Sequence, residues 1–102
     1  MAVDAMRFND IAREAPVSAL LEQLLRQALE PQELLIRDDS HLHAGHAGAA
    51  AGAHFAVSVR SVKFIGLSRV QRHRLVYHAV FPLMQGRIHA LAIDAHAPGE
   101  SS

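Results

Sequence analysis

The stretch HFAVSVRSV, residues 54–62, alternates apolar and polar side chains almost without a break. Phe55, Val57 and Val59 fall on one face of a pleated strand, with Ser58 and Arg60 on the other. A strand of this kind needs a partner strand beside it and an apolar layer against one face. The rest of the chain has to supply both.

PVSALLEQLLRQAL, residues 16–29, supplies apolar side chains at helical spacing: Val17, Leu20, Leu21, Leu24, Leu25 and Ala28. Pro16 suits a first helical position, and Pro31 disfavours helix in the residue before it. QELLIRDD, residues 32–39, reads as a short strand with Leu34 and Ile36 on one face. A stretch padded with Ala and Gly follows, and Gly45, Gly48 and Gly52 recur too often for a stable helix, so a mobile loop is expected. Two strands joined by such a loop predict an antiparallel hairpin.

After residue 62 the period changes. KFIGL is expected to be a turn or short helical piece bending at Gly66, and Ser68 with Gln71 matches a capping box that starts a helix at Arg69. Val70, His73, Tyr77, Val80 and Met84 share one helical stripe, with Val76 and Leu83 beside it. Pro82 predicts an end or kink near Val80. RIHALAIDA, residues 87–95, is a final strand with His89, Leu91 and Ile93 set against Ala90, Ala92 and Asp94.

The order helix, strand, strand, helical pair, strand predicts a small α+β domain with helices on one face of a three-stranded sheet. If the last strand joins the second in parallel, the helices between them form a right-handed crossover. Residues 16–97 make up this domain. Residues 1–15 read as an extension, frayed or adding a helical turn, and residues 98–102 as a flexible tail.

Net charge is zero, but unevenly distributed. Residues 1–39 hold eight acids and four bases, a net of −4, whereas residues 40–93 hold no Asp or Glu and six bases. Arg60, Lys63, Arg69, Arg72, Arg74 and Arg87 would attract an acidic protein or a phosphate backbone. Equally, folding can bring the acidic first helix alongside and even out the surface. No apolar run approaches a membrane span, and no secretory or transit signal opens the chain, so a cytoplasmic protein without membrane contact is expected.

The chain has no cysteine and eight histidines, four of them in SHLHAGHAGAAAGAHF, residues 40–55. It can form no disulfide and no all-cysteine iron–sulfur centre. His41, His43 and His46 have spacings that can bind zinc, nickel or copper, but exposed side chains on a mobile loop explain them as well. His54 is assigned to the strand that it opens. His73 fits a half-buried structural position with one nitrogen bonded to backbone or carboxylate, while His78 and His96 read as surface residues. His89 begins a strand, where a partner could reach it. With no GxSxG, P-loop or HExxH motif, catalysis is not expected.

Three segments together resemble the BolA family: IRDDSHLHAGHAG, then HFAVSVRSVKFIGLSRVQRHRLVYHAV, then IHALAIDAHAP. The resemblance implies an αββααβ fold like the type II KH domain, with a mixed sheet. It implies a heterodimer with a monothiol glutaredoxin that shares a 2Fe-2S cluster, in iron–sulfur homeostasis or stress response. The partner's cysteine and glutathione would supply sulfur and this chain imidazole, with no cofactor in the isolated chain. IHAL makes His89 one ligand. DDSHLH makes His43 the other, with His41 and His46 as near substitutes. The alternative that the resemblance implies is a transcriptional regulator binding duplex DNA through the basic segment 60–74, using Arg60, Lys63, Arg69, Arg72, His73 and Arg74. Pro82 and the short tail depart from the family pattern without touching the ligand positions. Imidazole must be neutral to ligate, so cluster binding should weaken as pH falls through the histidine range.

Overall fold

The computed structural model describes residues 16–40 and 53–101. Helix α1 (Val17–Leu29) is followed by strands β1 (Glu33–Asp38) and β2 (Ala53–Arg60), a 3-10 turn (Val62–Phe64), helix α2 (Arg69–Met84) and strand β3 (Ile88–His96). This is the expected α+β order. The expected extension over residues 1–15 lies outside the described residues. No helix among those described is long and apolar enough to cross a membrane.

β2 is the central strand, antiparallel to β1 and parallel to β3. Its Phe55, Val57 and Val59 are buried against the helices, as the alternation predicts. Leu34 and Ile36 of β1 pack against the same core. From α1 the core takes Leu20, Leu21, Leu25 and Leu29, and from α2 Val76, Val80 and Leu83. Leu29 fills the place expected of Ala28, which is exposed. α1 ends because Glu30 turns into the left-handed region, φ 44°, its N–H closing on the Arg26 carbonyl, with Pro31 next.

Within these elements, sequence expectations need correction at three places. α2 does not end near Val80 but runs to Met84. Pro82 and His78, whose carbonyl Pro82 leaves without its helical donor, are both exposed, so water can serve that carbonyl while Val76, Val80 and Leu83 hold the inner face. Val62 leaves β2 for the 3-10 turn, because Ser61 caps that turn by accepting from the Lys63 N–H. His89 does not share a face with Leu91 and Ile93. The register steps from Ala53 opposite Ile88 to His54 opposite Ala90, leaving His89 as the extra residue of a bulge. Ile88 takes the inward place instead, which lets Ile88 and Leu91 both be buried.

Residues 98–100 are held rather than free. Arg72 Nη1 and Nη2 donate to the Glu100 carboxylate at 2.6 and 2.9 Å, and the Ala97 N–H donates to Glu100 Oε1 at 2.9 Å. Arg60 Nη1 donates to the carbonyls of Ala97 and Glu100 at 3.0 and 2.8 Å. Arg72 Nε also donates to the Leu67 carbonyl at 3.0 Å and Nη1 to the Ala95 carbonyl at 3.2 Å, the latter tying the start of α2 to the end of β3. The Arg72 bonds foremost, then the Ala97 N–H, hold the Glu100 carboxyl down to about 2.

Ser61 is the buried polar side chain among the described residues. Its hydroxyl donates to the Leu29 carbonyl while accepting from the Lys63 N–H, joining the end of α1 to the 3-10 turn. Ser61→Ala strands both groups away from water and should cost about 1–3 kcal/mol, read by urea denaturation. Glu100→Gln should lower the melting temperature at neutral pH. The folded carboxyl lies below its ordinary value of 4.5, so its contribution is complete above that pH and fades toward about 2. Melting curves of the two proteins should therefore converge as pH falls through that window.

Candidate functional site

Because β2 and β3 run in parallel and in near register, their first residues come together at one end of the sheet. His54 and His89 meet there, with ring centres 5.2 Å apart and planes tilted by 42°. Since Phe55, Val57 and Val59 face the helices, His54 belongs to the opposite face of the sheet, and His89 is exposed beside it on its bulge. The backbone on the β1 side secures this end: the His54 N–H donates to Ser40 Oγ at 3.0 Å, and the Asp39 N–H to the His54 carbonyl at 2.8 Å.

Two imidazoles on one tetrahedral metal, each nitrogen about 2 Å from it, have ring centres about 5 Å apart. The His54–His89 pair meets that spacing. Imidazole nitrogen can serve as a metal donor. No group of three or more His, Asp or Glu side chains able to hold a metal forms among the described residues. His54 was assigned by the sequence to its strand alone. The signal that finds it is the predicted parallel pairing, which brings the heads of the last two strands side by side.

His43, with His41 and His46, lies outside the described residues. The segment that carries them leaves from Ser40, bonded to His54, and returns at Ala53, so both of its ends lie beside the pair. His73 is half-buried as expected but has no hydrogen-bond partner among the described residues. His78 is exposed. His96 is not a surface residue: its Nε2 is shut from solvent 2.7 Å from Asp94 Oδ1.

The six residues expected to contact nucleic acid lie toward the opposite end of β2 and in the segment beyond it, and they do not form one free set. Arg60 and Arg72 are engaged by the carbonyls and carboxylate described above, and Arg60 Nε also lies 3.2 Å from Glu33. Lys63 lies 3.5 Å from the Glu30 carboxylate on the surface. Arg69 and Arg74 are exposed, without ion-pair partners among the described residues. Arg69, Arg72 and His73, with Leu67, wall a cleft of about 430 Å³ against residues 93–96 of β3.

The family described as BolA-like protein matches residues 25–100. Mouse BolA-like protein 1 is 44% identical over 89 residues, 87% of this chain and 64% of that protein, so the chain spans less than two thirds of the relative's length. The structure of BolA1 from Arabidopsis thaliana is similar with a TM-score of 0.71 at 40% identity, over 82% of this chain and 94% of that one. The BolA domain of SufE1 from the same plant gives a TM-score of 0.72 at 37% identity, over 81% and 93%. With this fold, and with the match running from the middle of α1 through the Glu100 turn, the chain belongs to the BolA-like family.

Proposed function

We propose that this chain is a non-enzymatic adaptor that binds a monothiol glutaredoxin and shares with it a bridging 2Fe-2S cluster. The cluster is cargo brought by the partner. The observation that carries this reading is the His54–His89 pair where two parallel strands begin side by side, spaced as two imidazoles on one iron would be. Family membership supports it. Two nitrogen ligands and no thiol leave the sulfur ligands to the partner's cysteine and glutathione. His89 is one ligand. The other is His54 on the geometry and His43 on the resemblance. The duplex-DNA reading is the weaker one here, because two of its arginines, Arg60 and Arg72, already bind within the chain.

The test is co-purification with a monothiol glutaredoxin, followed by visible absorption and circular dichroism of the complex. His89→Ala should abolish the cluster signal, or shorten its lifetime at least tenfold, without lowering thermal stability. His54→Ala and His43→Ala, made separately, identify the second ligand by which of them reproduces that loss. A spectrum unchanged by His89→Ala, or by both of the other two, would show the ligand assignment to be wrong.

A further inference from the structure

α2 carries apolar side chains on two sides. Val76, Val80 and Leu83 face the core and are buried, whereas Val70, Tyr77 and Phe81 are 58%, 40% and 57% exposed. At 3.6 residues per turn the exposed three fall on one narrow stripe, since positions 70, 74, 77 and 81 follow helical spacing with Arg74 between them. A helix packed on one side should show water a polar face, and one that is apolar on both sides has the pattern of a helix covered on both.

The charge around this stripe indicates what covers it. α2 contains no Asp or Glu. Arg69 and Arg74 stand exposed, without ion-pair partners among the described residues, while Arg60, Lys63 and Arg72 are each matched by a glutamate. A second copy packed symmetrically through the same face would set Arg74 against Arg74. The complement is an apolar surface with an acidic rim. The Tyr77 hydroxyl donates to the Leu91 carbonyl at 3.2 Å, fixing the ring at the edge of β3. The stripe therefore belongs to the helical layer, whereas His54 belongs to the sheet's other face.

We propose that the outer stripe of α2 is a second docking surface, receiving an amphipathic segment of a protein partner whose apolar face is rimmed by Asp or Glu, and that it can be filled while the histidine pair is engaged. This goes beyond the adaptor reading and does not depend on it.

The experiment titrates the full chain calorimetrically with two synthetic helix-forming peptides. They share a leucine stripe at i, i+4, i+7 and i+11; one is flanked by glutamates, the other by lysines. The glutamate peptide should bind, and at least tenfold more weakly to Phe81→Ser and to Arg74→Glu. The lysine peptide should not bind, and His54→Ala and His89→Ala should leave binding unchanged. Both α2 substitutions are at exposed positions, and circular dichroism melts verify that the variants remain folded. Failure of the glutamate peptide to bind, or binding to either α2 variant as tight as to the unaltered chain, overturns the proposal. So does capture through the same residues of phosphatidylserine vesicles or a single-stranded oligonucleotide in preference to the peptide.

Discussion

The parallel pairing of β2 with β3 is the constraint on which the rest of the structure depends. Parallel neighbours cannot be joined by a tight turn, so the chain must cross over, and α2 is that crossover. The crossover lies over one face of the sheet and adds Val76, Val80 and Leu83 to the four core leucines of α1. The same pairing places the heads of two strands together, which creates the His54–His89 pair, and their ends together. There Arg60 and Arg72 gather the last residues of the chain.

The two ends differ in chemistry because their polar groups are used differently. At the far end, charged side chains are spent on carbonyls and on one carboxylate, and they close a turn that would otherwise have no apolar anchor besides Ala97. At the near end, two imidazoles lie side by side, and the exposed one sits where the ladder is interrupted. One end of the sheet is committed to holding the fold, and the other brings two imidazoles together.

Much of this was legible in the sequence, because the period of the apolar residues changes where the elements change. Phe55, Val57 and Val59 marked the central strand, and Ser68 with Gln71 marked the start of α2, where the capping box forms. What the sequence hid has physical causes. Pro82 reads as a helix breaker only if the carbonyl it abandons is buried, and exposure is a tertiary property. The bulge at His89 cannot be seen in an alternation, since it shows only against a neighbouring strand. Formal charge counts each arginine equally, so the basic segment appeared as one field although Arg60 and Arg72 are committed within the chain. His54 was overlooked for the opposite reason: its partner lies 35 positions away and is adjacent only through the sheet.

The bulge has a consequence for how this protein can change. A residue paired on both sides of a ladder is judged by the neighbours it must fit, so its identity answers to folding first. His89 is supernumerary in the register, and its side chain lies outside the core that Ile88 and Leu91 fill. Selection can act on its side chain with little interference from the demands of packing. Position 89 is therefore where the residue could be exchanged during divergence while the scaffold stays as it is.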